Sequence, residues 1–160
     1  MKKNKLPEYF GVEEGQNSAI RLGKDVVADG LDRKREASIR LQSHTHTDHL
    51  NGWKEFIKPQ KKLILSDASK EILMIDEPHI KRRGTIQTVE HGSEFKMPNK
   101  DGKILLFKIL DAKHMAGSIQ SSVEYENGDL FAYSGDIGEN IDKAIKADFL
   151  VLDPAYTKFK

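Results

Sequence analysis

Short apolar runs, each closed by turn-forming or charged residues, make up most of this chain. Residues 19–22 and 26–28 flank Gly23-Lys24-Asp25 and predict a hairpin. Residues 38–41, 63–65 and 86–89 predict short strands, and residues 103–110 form the most apolar strand candidate. Residues 119–125 and 130–133 flank Glu126-Asn127-Gly128-Asp129, a strong hairpin signal. Residues 149–152 predict a final buried strand. Helical spacing is rarer. Leu50, Trp53 and Ile57 fall on one face of a helix over residues 48–57. Ser66 or Asp67 can cap a helix reaching about Met74, with Ile72 and Leu73 inward, and residues 137–147 predict a short third helix. There is no internal repeat, no linker and no strict βαβ rhythm. The pattern predicts a layered α+β domain over a doubly wound sheet.

Composition narrows this picture. A length of 160 residues suits one domain with one core, and 38% hydrophobic with 32% charged residues reads as soluble and globular. No apolar run approaches the roughly 20 residues that span a bilayer. Met1-Lys2-Lys3-Asn4-Lys5 is basic but no apolar stretch follows it, so no secretory signal is expected. Cysteine is absent, which excludes disulfides and thiolate metal sites. Any transition-metal site must use histidine and carboxylate, and a cytoplasmic location is expected. The net charge is +1. Arg33-Lys34-Arg35, Lys58 with Lys61-Lys62, and Lys81-Arg82-Arg83 are basic clusters able to contact phosphates, yet each taken alone reads as a solvated face.

The polar residues that follow the strand candidates carry the chemistry. Ser43-His44-Thr45-His46-Thr47-Asp48-His49 holds three of the six histidines. In an extended loop His44 and His46 point the same way, because side chains repeat every second residue, so both can grip one metal. Asp48 and His49, at the turn into the next helix, can face a second. This mixture of ligands suits Zn²⁺, and also Mn²⁺ or Fe²⁺. A chance cluster on a surface loop is the bland alternative, and crowded imidazoles make it the poorer one. Four ligands cannot close two sites. His114, in Asp111-Ala112-Lys113-His114-Met115-Ala116-Gly117-Ser118, is the best further candidate, and Asp136, in Tyr133-Ser134-Gly135-Asp136, is the next, as a carboxylate able to bridge two metals. Taken singly, each also reads as a structural histidine or an ordinary turn. His79 and His91 read as exposed turn residues and not as ligands, and Lys113 as a solvated lysine.

Together these residues resemble the metallo-β-lactamase superfamily, whose hallmark is His-x-His-x-Asp-His followed by a distal histidine and then an aspartate. His44, His46, Asp48 and His49 match the hallmark, His114 the distal histidine and Asp136 the bridging aspartate. Asp29, in Val26-Val27-Ala28-Asp29-Gly30, resembles the early aspartate that supports the metal loop from behind the ligands. The match runs from about residue 17 to 156. The finer resemblance is to the β-CASP nucleases, which process RNA and DNA. Their motifs are similar to Ala112-Lys113-His114-Met115-Ala116-Gly117-Ser118 and to Tyr133-Ser134-Gly135-Asp136, and Asp153, in Leu152-Asp153-Pro154-Ala155-Tyr156, resembles their acidic residue at a strand end, which like Asp29 is expected to support the metal site from behind the ligands. Pro154 and Ala155 depart from the usual hydroxyl residues.

The resemblance implies an αββα sandwich, two divalent metal ions with zinc foremost, and hydrolysis of a phosphodiester in RNA or single-stranded nucleic acid. It implies that Asp48 orients the attacking water or accepts its proton. It also exposes a gap: the superfamily completes its second metal site with a histidine after the bridging aspartate, and none follows His114 here. Residues 1–160 are therefore expected to form the N-terminal portion of the fold, incomplete at the C-terminus. A C-terminal half or a partner chain would supply the last histidine. Two other functions stand beside the nuclease: a thioester, lactone or lactam hydrolase of the same fold, and a non-catalytic subunit with an incomplete site.

Overall fold

The computed structural model describes residues 7–12 and 19–153. Two sheets stack face to face. The first contains β1 (Phe10–Val12), β2 (Ile20–Leu22), β3 (Val26–Ala28), β4 (Ile39–Leu41), β5 (Lys62–Ser66) and β6 (Ile86–Val89), side by side in that order. β1, β2 and β3 pair antiparallel, and β3 through β6 run parallel. The second contains β7 (Glu94–Pro98), β8 (Ile104–Asp111), β9 (Ile119–Glu124), β10 (Leu130–Asp136) and β11 (Phe149–Asp153), antiparallel except for the parallel β10–β11 pair. The single α-helix among the described residues, α1 (Asp67–Asp76), follows β5; the Ser66 hydroxyl caps it by accepting from the Ser69 amide at 3.1 Å. No helix there is long and apolar enough to cross a membrane.

The alternation seen in the sequence explains the packing. Leu105, Phe107 and Ile109 of β8 point inward and meet Leu22, Val26, Ala28, Leu41 and Ile64 of the first sheet, with Ile119, Val123, Phe131 and Tyr133 filling the same core. The first sheet is buried on both faces. Its other face carries Val27, Leu63 and Leu65, covered by Trp53, Phe56, Ile57, Leu73 and Ile80. Parallel strands with two dry faces read as unbroken apolar runs, as β5 does. Among the described residues no helix covers the outer face of the second sheet. This is an α+β sandwich of two sheets whose described helical layer lies on one side.

Three local expectations need correction, and two strands were not foreseen. The helix over residues 48–57 is instead two 3₁₀ turns, Thr47–His49 and Trp53–Ile57. An α-helix would use the carbonyls of His49 and Asn51, but the buried Arg40 guanidinium takes both, at 2.7 Å each. Gly52 between the turns has φ +73°, which breaks the α geometry. Residues 137–147 form no helix. Gln120 binds the Lys143 carbonyl (2.8 Å) and the Ile145 amide (2.9 Å), while the Gly138 amide binds the Ala112 carbonyl (2.9 Å), so the segment is pinned open along the sheet. β11 is not a buried strand but an edge strand, with Leu152 56% exposed. β1 and β7 were not anticipated; β7 shows only Phe95 and Met97 as alternating apolar residues.

Candidate metal centre

Every element of the site is the end of a strand or the loop just after it. β3 delivers Asp29, β4 runs into His44, β8 precedes the His114 loop, β10 ends at Asp136 and β11 at Asp153. Placing side chains at the ends of rigid strands fixes their positions tightly.

One group comprises His44, His46, His114 and Asp136. His44 Nε2 lies 3.1 Å from His46 Nδ1, and His114 Nε2 lies 3.2 Å from the same atom. Asp136 Oδ2 is 3.6 Å from His44 Nε2 and 3.3 Å from His114 Nε2. Ligands held about 2.0–2.1 Å from a tetrahedral zinc lie roughly 3.3–3.4 Å from one another. The observed separations match those edges, so three imidazoles and a carboxylate fit one Zn²⁺-sized ion. The second group forms around His49. Its Nε2 lies 3.5 Å from Asp136 Oδ1 and 3.6 Å from Asp48 Oδ2. Asp136 thus offers one oxygen to each group, the geometry of a bridging ligand. Asp48 stands at the rim with its side chain 79% exposed.

A hydrogen-bonded layer behind the ligands sets their tautomers. Asp29 Oδ2 accepts from His49 Nδ1 at 2.9 Å and from the Ser43 hydroxyl, while Oδ1 accepts from the Ser43 amide (2.8 Å) and Gln42 Nε2 (2.9 Å). With Nδ1 donating to Asp29, His49 turns Nε2 toward Asp136, where a cation would take the place of the second ring proton. The Ser43 hydroxyl, donating to Asp29, accepts from His44 Nδ1 at 2.9 Å and so leaves His44 Nε2 as an acceptor. Asp29 is near the ring nitrogens of His44 and His49, but its oxygens are filled by these four donors, so it is a support and not a ligand. It sits at φ +37°, a region aspartate tolerates better than most residues.

The electrostatics divide the two histidines. Burial, with the charge on His49 adding to it, lowers His44 to about 4, so it is neutral and ready to ligate. Burial alone would lower His49 as well, but the hydrogen bond and charge of Asp29, with Asp136 and Asp48, raise it to about 9. Burial raises Asp136, and Asp153 adds to this while His49 opposes it.

The structure brings His44, His46, His49, His114 and Asp136 together, with Asp48 at the edge and Asp29 behind. It also carries Asp153 into the second group, where its ligand atom lies within 4.8 Å of those of His49 and Asp136. Pro154, Ala155 and Tyr156 lie outside the described residues. His79 and His91 join neither group. His91 Nε2 instead lies 3.1 Å from the Ser118 carbonyl, bracing the His114 loop. Lys113 pairs with Asp111 and Asp142 at 3.3 Å each. Of the basic clusters, Lys81, Arg82 and Arg83 are exposed, Lys58 pairs with Glu55 and Lys61 with Glu36, and Arg35 donates to the Glu8 carbonyl at 2.9 Å. Sequence reasoning missed Arg40 and Gln42. Arg40 is fully buried and grips the carbonyls of Gly30 (2.8 Å), His49 and Asn51 together with Gln42 Oε1, tying the metal loop to β4. A charged residue in the strand leading into the histidine motif was the available signal.

No family model matches the sequence, and no curated protein matches it. Solved structures do match the fold. A metallo-β-lactamase with a HARLDQ motif from Cronobacter sakazakii aligns with TM-score 0.53 and 15% identity, over 78% of this chain and 59% of that one. Two mutants of it align with TM-score 0.51, at 16% and 15% identity, each over 73% of this chain and over 56% and 55% of theirs. At such identities the likeness establishes the fold alone, and the fold is that of the metallo-β-lactamases. The chain spans a little over half the length of these structures.

Proposed function

We propose that this chain carries the metal-binding part of a metal-dependent phosphodiester hydrolase of the β-CASP type, acting on RNA or single-stranded nucleic acid. The observation that carries the reading is the Asp136 carboxylate, which turns one oxygen to each ligand group. Two cations that share a carboxylate suit in-line displacement at phosphorus. The motifs around His114, Asp136 and Asp153 support the nuclease branch over other chemistries of the fold.

His44, His46, His114 and Asp136 would hold the first cation, and His49, Asp136 and Asp48 the second, with zinc as the first choice. Such cations supply Lewis acidity that activates water and offsets charge building on the phosphoryl oxygens. Asp48, at the exposed rim, orients the attacking water and accepts its proton. His49, held by Asp29, keeps Nε2 aimed inward. His44 stays neutral through burial and so remains a ligand at neutral pH.

The test is incubation of the metal-replete chain with labelled RNA, single-stranded DNA, a thioester and a lactam, beside Asp48→Ala and Asp136→Ala. The expected outcome is cleavage of RNA that chelation and both substitutions abolish. The matching solved structures are named metallo-β-lactamases, so lactam turnover with inert RNA would favour the small-molecule reading. A metal-replete chain that turns over nothing would fit a non-catalytic subunit, with the last histidine supplied by a C-terminal half or partner chain.

A further inference from the structure

We propose that Asp153 is a direct ligand of the second cation, which makes that position oxygen-rich and unlike the first. The inference rests on the two-cation reading above. Asp153 ends β11, and in the parallel β10–β11 pair it stands opposite Asp136 after a register shift between Tyr133 and Asp136. The shift brings the two carboxylates side by side at the strand ends, next to His49, with one ligand atom from each of the three residues within 4.8 Å of the others. Two contacts hold Asp153 there. The Tyr133 hydroxyl donates to Asp153 Oδ2 at 3.2 Å, and the Asp153 amide donates to Ser134 Oγ at 2.9 Å. Asp29 fixes His49 through Nδ1, so His49 Nε2 points into this same group. Beside it lies a cavity of about 320 Å³ lined by Asp48, His49, Tyr133, Leu152 and Asp153, which gives a cation entry and room for water.

The two positions then differ in kind. The first offers three imidazoles and one carboxylate. The second offers one imidazole, His49, with Asp136, Asp153 and the rim residue Asp48. Nitrogen-rich sets favour Zn²⁺ over Mn²⁺ strongly, whereas carboxylate-rich sets suit Mn²⁺ and Mg²⁺. The preference for zinc over manganese therefore falls from the first position to the second.

The full chain loaded with one equivalent of Zn²⁺ is titrated with Mn²⁺, and binding is read from the electron paramagnetic resonance of free and bound manganese. The expected result is one Mn²⁺ per chain. Asp153→Asn weakens it at least tenfold, a scale typical for the loss of a supporting or ligating group. Asp153→Glu retains binding, and zinc content is unchanged in both. Electron spin-echo modulation of the bound Mn²⁺ in the unsubstituted chain shows a single histidine nitrogen, a readout independent of whether any variant folds. Unchanged manganese affinity in a folded Asp153→Asn, or two or more histidine nitrogens on the manganese, overturns the proposal. Asp153-dependent manganese binding without RNA cleavage would leave this site standing and remove only the nuclease reading.

Discussion

At the scale of single residues, Asp29 is the pivot of the site, although it touches no cation position. Its carboxylate accepts from the Ser43 amide and hydroxyl, from Gln42 and from His49. Asp29→Asn keeps the shape but removes the charge and puts an amide donor where His49 Nδ1–H must donate. Metal affinity is expected to fall tenfold to a hundredfold with the fold retained, measured by competition with a chromogenic chelator. The same partners set a pH dependence for the metal-free chain. His49 is raised from 6.5 to about 9, so the folded state binds the extra proton and its contribution is complete below pH 6.5 and lost as pH rises through 9. His44 is lowered from 6.5 to about 4, so the unfolded state binds the extra proton and stability is lost as pH falls from 6.5 toward 4. The melting temperature of metal-free protein should peak near pH 6.5, and Asp29→Asn should flatten the alkaline limb. A melting temperature that climbs steadily from pH 6.5 to 9 would show that Asp29 does not hold the His49 proton.

At the scale of elements, the loop after β4 is ordered by side chains and not by helix formation. Arg40 carries this role: burial lowers its guanidinium only to about 10, so it remains charged at neutral pH while gripping three carbonyls and Gln42. Arg40→Ala strands these acceptors in a dry interior and should cost at least about 3 kcal/mol, read by denaturant unfolding, with metal binding lost in parallel. A stability change under about 0.5 kcal/mol, the range of ordinary surface substitutions, would refute the role. This explains which elements were legible in the sequence. β3, β4, β5, β6, β8, β9 and β10 bury at least one face through apolar residues, and local periodicity reports that directly. The helix over residues 48–57 was not legible, because Leu50, Trp53 and Ile57 kept helical spacing while a residue in another strand claimed the carbonyls. Residues 137–147 failed for the same reason, with Gln120 in the place of Arg40. Periodicity records which side chains are buried; it does not record which distant donor takes a backbone acceptor.

At the scale of the molecule, two sheets clamp a shared core and bring five strand ends to one rim. Four of the ligand candidates lie within six residues of sequence, which made the loop legible at once. His114 and Asp136 were legible through their order along the chain, as matches to a known pattern. Asp153 was legible through the same pattern as a residue supporting the site, but its direct approach to His49 and Asp136 was not, since it depends on the parallel pairing of β10 with an edge strand and on a register shift between them. The chain spans a little over half of the matching structures, and its described helical layer covers one sheet only. The rim nevertheless presents two donor sets that share Asp136. The central claim is that these residues hold two divalent cations, and elemental analysis after equilibrium dialysis against zinc and manganese tests it most directly. The account predicts two cations per chain, with Asp136→Ala losing at least one; a chain that retains none, or only one, contradicts it.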